Sequence, residues 1–201
     1  MSKADLYLDW AKYQAARYAC ERWHYAGCIP RGKNAFLGVW ERGEFVGVVS
    51  FGRGTSPFIG EPYGLGQEEV VELNRVALTR HVAPVTRIVA VAIRIIKRTF
   101  PGVRLVVSLA DASQGHVGRI YQGGNWVYVG RSAAVVQYYW RGKWRNDANL
   151  RRAMQRDRSL KDKLRSRRIP GKHKYLYPLD EDIERRVRPL GLPYPKVDGA
   201  R

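Results

Sequence analysis

The hydrophobic pattern of the chain changes period several times, and each change marks an element. Residues 36–41 and 45–51 are two short apolar runs joined by Arg42-Gly43-Glu44, the signature of two strands and a tight turn. Residues 70–78, VVELNRVAL, predict a central strand with Glu72 and Asn74 on the side of Val70 and Arg75 on the other. Pro84 suits a first helical turn, and residues 85–100 bring Ile88, Ala92 and Ile95 to one face of a helix that Pro101-Gly102 ends. Residues 103–109 form a β-branched run of the length of a buried strand, which breaks at Asp111 and Ser113. Ser113 is the expected N-cap of a following helix that puts Gln114, Gly118 and Tyr121 on one face, with Gly118 clearing space for a ligand. Strands at 126–129 and 135–140 complete the regular part. Near the start, residues 6–18 predict a helix with Leu6, Trp10, Tyr13 and Arg17 along one side, while residues 26–34 and 52–66 are loops punctuated by glycine and proline. The succession helix, hairpin, strand, helix, strand, helix, strand, strand predicts an α/β (α+β) protein, a mixed β-sheet flanked by helices.

Beyond residue 140 the pattern fades and charge takes over. Lys and Arg outnumber Asp and Glu 36 to 18 over the 201 residues, a net charge of +18, and residues 141–174 hold fourteen of the cations against Asp147, Asp157 and Asp162. That distribution predicts a catalytic domain at 1–140 and a basic C-terminal arm at 141–201, partly ordered, with a short helix at 180–187 and an extended finish set by Pro189, Pro193 and Pro195. Self-repulsion of this size is tolerated when a polyanion is the partner, and nucleic acid is the default polyanion. The expected DNA-binding residues are Arg53, Arg141, Lys143, Arg145, Arg151, Arg152, Arg165, Arg167, Arg168, Lys172 and Lys174. The alternative for the arm is a solvated tail that aids solubility. No run approaches the roughly 18 apolar residues of a membrane span, and the acids near the start argue against a signal peptide, so a cytoplasmic protein with no membrane partner is expected. Cys20 and Cys28 are too few for a disulfide framework and lack metal-pair spacing.

Several familiar signatures are missing. There is no GxxxxGK[ST] loop, no HExxH and no pair of cysteine pairs, which argues against an NTPase, a zincin and a zinc finger. What remains is a crowded stretch in which Asp111, Ser113, His116 and Tyr121 lie just past the end of a buried strand, where α/β sheets keep their sites. Its structural alternative is a capped helix with a core tyrosine. His24, between Trp23 and Tyr25 at a helix end, reads equally as structural or as part of a site, and His116 as a site residue or a solvent-facing one. His81 reads as a surface or phosphate-contacting residue, and His173, between lysines, as part of the nucleic-acid surface. His24, Glu72, Asp111 and Tyr121 form a metal-ligand set for iron, manganese or zinc if the fold brings them together.

The runs Trp23-His24-Tyr25, FVGVVSFGRG at 45–54, ELNRVAL at 72–78, Pro84-Val85-Thr86-Arg87-Ile88, Ala110-Asp111 with Gln114-Gly115-His116, and Ile120-Tyr121-Gln122 with Asn125-Trp126 together resemble the phage Mom family. The order of elements from Glu72 to Gly130 also resembles the second half of the GNAT acyltransferase fold. The resemblance implies a GNAT-like sheet and a DNA-modifying enzyme that converts the N6 amine of adenine to a carbamoylmethyl derivative, shielding phage DNA from restriction. In such an enzyme Trp23, Tyr25 and Tyr63 are candidates to hold the extruded base. It implies His24, Tyr25, Asp111 and Tyr121 as the catalytic set, Tyr121 standing where GNAT proteins often place a general acid, and Thr86 near the donor pocket. Arg87, Ser113 and His116 are grouped with Thr86 as cofactor-binding candidates. Thr86 replaces an expected serine and keeps its hydroxyl. The resemblance also implies iron (Fe2+). The turn at 84–87 lacks the glycine pattern with which ordinary GNAT proteins cradle the pyrophosphate of coenzyme A, so the donor stays open between an acyl-CoA and another small molecule. The implied partners are double-stranded DNA and that donor, and the oligomeric state is open, a homodimer included. Two other readings stand beside this one: an acyl-CoA-dependent GNAT N-acyltransferase acting on a protein or small amine, and a non-catalytic basic nucleic-acid-binding protein.

Overall fold

Strand pairing, not helical spacing, takes the first described residues. A computed structural model of the chain describes residues 5–54 and 56–196. In it the expected helix at 6–18 is divided: β1 (Leu6–Trp10) is an edge strand antiparallel to β2 (Asn34–Glu41), and α1 (Tyr13–Trp23) starts only afterwards. The free edge of β2 supplies backbone partners that the spacing of Leu6, Trp10 and Tyr13 cannot reveal.

The hairpin forms as expected. β2 joins β3 (Glu44–Gly52) through Arg42 and Gly43, both with positive φ (52° and 82°), the two-residue turn whose twist matches that of the strands. β3 pairs antiparallel with β4 (Val70–Leu78), which is followed by α2 (Val85–Thr99) and, parallel to β4, by β5 (Leu105–Ala110). The turn before α2 is pinned by the buried Glu41 carboxylate, which accepts the Val82 and Ala83 N–H groups at 2.7 Å each.

The division after residue 140 does not hold as drawn. β10 (His173–Pro178) stands inside the main sheet, antiparallel to both β5 and β6 (Val127–Arg131), and the sheet runs β1-β2-β3-β4-β5-β10-β6. Tyr175 and Leu176 are fully buried. α6 (Glu181–Val187), N-capped by Asp180, then packs Ile183 and Val187 onto Val70, Leu105 and Val107. Residues 135–169 are the true excursion: β7 (Val135–Trp140), β8 (Lys143–Arg145) and β9 (Ser166–Ile169) make a second sheet in the order β8-β7-β9, with α4 (Ala148–Arg156) and α5 (Leu160–Lys163) between β8 and β9.

One face of the main sheet is covered by α2, whose Ile88, Ala92 and Ile96 meet Val49, Phe51, Leu73 and Val106. The other carries α6 and α1, and α1 lies close because Ala16, Ala19 and Cys20 are small where they meet Val48 and Ala77. The result is the mixed sheet flanked by helices that the element order predicts. Among the described residues no helix is long and apolar enough to cross a membrane.

Candidate active site

β4 and β5 are bonded only from Val70 opposite Leu105 to Leu73 opposite Ser108, and beyond that point each strand continues without the other. β4 changes register there: Phe51 faces Leu73 and Ser50 faces Arg75, leaving Asn74 as an extra residue, a β-bulge. The bulge reverses the expected alternation, so Arg75 lies on the sheet face of Val70 and α1. A cavity of about 530 Å³ opens at this parting, within the range of ligand sites. Its walls are Trp23, His24 and Tyr25 from the end of α1, residues 73–76 and 109–111 from the two strands, and residues 115–121.

Residues 111–122 are more broken than the predicted helix. Asp111, not Ser113, is the cap: its Oδ1 accepts the Ser113 N–H at 3.0 Å and the Ser113 hydroxyl at 2.6 Å. This ends in a single 3-10 turn, Ala112–Gln114, closed by Gly115 at φ 71°, and a separate short helix, α3 (Arg119–Gln122), begins after Gly118 at φ 76°. Gln114, Gly118 and Tyr121 therefore share no helical face. A Cβ on Gly118 would come within 2.5 Å of the Tyr175 ring and 2.9 Å of Tyr121, so that glycine makes room for two aromatic rings and not for a ligand. Tyr175 in turn donates its hydroxyl to the Val117 carbonyl and accepts from Gln122, which holds the 115–121 wall against β10.

Tyr121 is 8% exposed, packed between Trp126 and Tyr175 with ring centroids at 5.0 and 5.1 Å. Burial pushes its phenol up to about 12. The hydroxyl thus keeps its proton at neutral pH. His24 follows the last turn of α1, and its Nδ1 accepts the Ala26 N–H at 3.1 Å, which places the ring proton of the neutral imidazole on Nε2. Burial, then the nearby Arg75 and His116, lower its pKa to about 4. Tyr25 lies 4.3 Å from the His24 ring and 4.9 Å, edge to face, from His116, with half of its surface still open. Burial, and then the Asp111 charge, raise its phenol as well.

The fold brings together His24, Tyr25, Asp111, His116 and Tyr121, with Ser113 attached through Asp111. It leaves others outside. Thr86 and Arg87 sit on the first turn of α2 and do not line the cavity. Glu72 is buried on β4, already engaged, and is not part of the lining. Tyr63 is 7% exposed in the core beneath α6 and offers no face to a base. His173, expected on the surface, is buried on β10 with a ring nitrogen 2.9 Å from the Tyr128 hydroxyl. His81 is exposed, its Nδ1 2.7 Å from the Thr79 carbonyl oxygen.

The iron expectation does not fit this arrangement. Among the described residues no group of three or more His, Cys, Asp or Glu side chains is placed to hold a metal ion. Glu72, one of the four expected ligands, is not part of the cavity lining.

Sequence reasoning missed Asn74 and Arg75 as cavity residues because the bulge that turns them is set by β3. The Asn74 Oδ1 and Arg75 Nε are both buried with no hydrogen-bond partner among the described residues. It also missed the position of Lys172, whose Nζ lies 3.8 Å from the Asp111 Oδ2. Of the expected DNA contacts, Arg141, Lys143, Arg151, Arg152, Arg165, Arg167 and Arg168 are exposed on the excursion and Lys172 at its end, while Arg53 is exposed just after β3. Arg145 is half-buried and paired with Asp147 at 3.0 Å, and Lys174 is half-buried on β10.

Fold and site define a mixed-sheet α/β protein with an aromatic, proton-carrying cavity opened between two parallel strands. The chain belongs to the Mom protein family, whose model matches residues 5–196. It is similar to the methylcarbamoylase mom of Escherichia phage Mu, 27% identical over 139 residues that make up 67% of this chain and 57% of that protein. The match thus spans little more than half the length of that relative. Among solved structures, the AHL synthase LasI aligns over 96% of this chain and 100% of its own at 10% identity and a TM-score of 0.44. A spermidine N-acetyltransferase from Vibrio cholerae, in complex with CoA and spermine, aligns over 89% and 98% at 9% identity and a TM-score of 0.42.

Proposed function

We propose that the chain is a DNA-modifying transferase that places a carbamoylmethyl group on the N6 amine of adenine, protecting phage DNA from restriction. The observation that carries the reading is the meeting of His24, Tyr25, Asp111 and Tyr121 around one cavity in a member of the Mom family. An adenine in duplex DNA reaches such a cavity only by leaving the base stack, and the half-open ring of Tyr25 is the surface on which it would rest.

Each side chain has a distinct task in this reading. Attack by N6 requires a proton acceptor, and Asp111 offers Oδ2, since Oδ1 is held by Ser113. Developing negative charge on the donor requires hydrogen-bond donors, supplied by the protonated Tyr121 hydroxyl and by the Nε2–H of neutral His24. The donor is a small molecule that carries the carbamoylmethyl group on a leaving group: N6 bonds to the methylene carbon, the bond from that carbon to the leaving group breaks with its electron pair going to the leaving group, and the N6 proton passes to Asp111. An acyl-CoA attacked at its carbonyl would give an N6-acyl product instead. Thr86 and Arg87 of α2 are the residues to test for donor binding. DNA is held by the exposed cations of the excursion.

Mass spectrometry of nucleosides from plasmid DNA, after expression of the chain in a bacterial host without related genes, tests the reading. A new carbamoylmethylated deoxyadenosine is expected. Unmodified DNA together with turnover of acetyl-CoA on a protein or small amine would move the chain to the N-acyltransferase reading.

A further inference from the structure

We infer that residues 132–172 are a folded grip for the phosphate backbone of duplex DNA, built on guanidinium groups held over tryptophan rings and anchored beside the cavity. The choice of DNA rests on the function proposed above, and the inference deepens it by assigning the surface.

The segment has a closed neck. The Ser132 N–H donates to the Lys172 carbonyl at 2.8 Å, and the Lys172 N–H donates back to the Ser132 Oγ at 3.0 Å. A Cβ on Gly171 would stand 1.7 Å from the Ser132 carbonyl oxygen, so glycine is what lets the outgoing and returning chains meet. The excursion thus leaves and re-enters the main sheet at one point, between β6 and β10. Lys172 at that point faces Asp111 in the cavity wall. Anything the excursion grips is held next to the chemistry.

Its cations are oriented without being neutralised. The Arg141 guanidinium lies 4.4 Å from the Trp140 ring centroid, and that of Arg167 lies 4.5 Å from Trp144. The Arg167 Nε and Nη2 also donate to the Gln137 Oε1, at 3.1 and 2.8 Å, across the β7–β9 pair. Stacking and a neutral acceptor fix these groups in place while leaving their charge intact. Two of the three acids in the region are occupied locally: Asp147 caps α4 by accepting the Leu150 N–H, and Asp157 accepts the Ser159 N–H and hydroxyl. Arg145–Asp147 is the one ion pair within the segment among the described residues. So dense a surplus on a small, thinly cored sheet is relieved when a polyanion covers it. The guanidiniums take up faces of Trp140 and Trp144, which favours phosphate as the ligand over stacked bases. The guanidinium fork also matches phosphate geometry.

The test uses the full chain and a fluorescent duplex of roughly 20 base pairs, whose Kd is measured across a salt series by anisotropy. Removing Arg141 and Arg167 together (R141A/R167A) is expected to reduce the slope of log affinity against log salt by about 1.8. Arg167→Lys, which keeps the charge but loses the fork and the guanidinium's place over the Trp144 ring, is expected to weaken binding about tenfold, as is Trp144→Ala. Because Trp144→Ala risks loosening the small sheet, Arg167→Lys carries the decision. Wild-type affinity in Arg167→Lys alongside a weakened double variant would leave charge alone at work and overturn the stacked grip. An unchanged slope in the double variant would remove the segment from the interface, and tighter binding of the single strand than of the duplex would overturn the duplex assignment. Adenine modification by the wild-type chain with DNA affinity unchanged in all variants sinks the grip and leaves the proposed function standing. The expected affinity changes without any modified base do the reverse.

Discussion

Tyr121 and Asp111 line one cavity but depend on it differently, and substitutions separate their roles. Tyr121→Phe keeps a ring that fits between Trp126 and Tyr175 and loses only the hydroxyl, a stability cost of at most about 1 kcal/mol. If its hydroxyl serves as the donor, modification falls a hundredfold or more while the protein still melts cooperatively. Asp111→Asn still offers Ser113 an oxygen to hold the turn, yet it loses the charge and the proton-accepting oxygen, so a similar loss of activity is expected with little change in melting. Modified base per DNA, measured beside thermal melting, checks both; near wild-type modification would remove that residue from the mechanism. His24 predicts a pH effect on stability. Its folded pKa, near 4, lies below the ordinary histidine value of 6.5, so the unfolded chain binds the extra proton between those values. The stabilisation is complete above about 6.5 and is lost as the pH falls toward 4. Buried His173 is lowered too and adds to the same trend. His24→Gln should flatten the melting profile across that window relative to wild type, and an unchanged profile would show that the imidazole is hydrated in the folded protein.

β10 is the element on which the two halves of the chain meet. It supplies backbone partners to β5 and β6 at once, and Arg104, beside β5, binds Asp180 at 2.8 Å and Asp182 at 2.9 Å, fixing the start of α6. A chain ended after residue 140 or after 172 leaves β6 without its partner and one edge of β5 open, and uncovers Leu105 and Val107, so neither is expected to fold. Circular dichroism and a missing cooperative melt would register this; a folded 1–140 fragment would refute the central placing of β10. Asp180→Ala in the full chain removes the α6 cap and the Arg104 partner together, with an expected loss of about 1–2 kcal/mol. α6 also reads cleanly in the sequence, because Asp180 and the following Ile183 and Val187 form a capped amphipathic turn that needs no distant information.

The whole molecule carries +18 charges on 201 residues, and apart from any ligand this destabilises the folded state through self-repulsion. Added salt screens that repulsion, with a Debye length that shrinks from about 30 Å at 0.01 M to 8 Å at 0.15 M. The melting temperature of the free protein should therefore rise with sodium chloride over that range, while affinity for DNA falls. A melting temperature that drops instead would mean that its ion pairs, such as Arg104 with Asp180 and Asp182, outweigh the repulsion.

Local pattern alone determined the β2–β3 hairpin, β4, α2, β5 and α6, because turn chemistry, period and capping are properties of neighbouring residues. Local pattern also singled out Asp111, at the end of β5, and Tyr121 on the short helix beyond, while the set of four that adds His24 and Tyr25, at the end of α1, came from the resemblance to the Mom family. What the tertiary structure decided depends on partners distant in the chain. β1 is a strand because β2 has an open edge, and the bulge that aims Arg75 is imposed by the register with β3. Glu72 and Tyr63 prove to be interior residues only once the sheet is assembled. The run HKYLYP at 173–178 sits among lysines and prolines and reads as tail, yet β5 and β6 lie far enough apart to admit it as the strand between them. A strand's own residues specify which of its faces is apolar and carry no label for the neighbour that its backbone will bond.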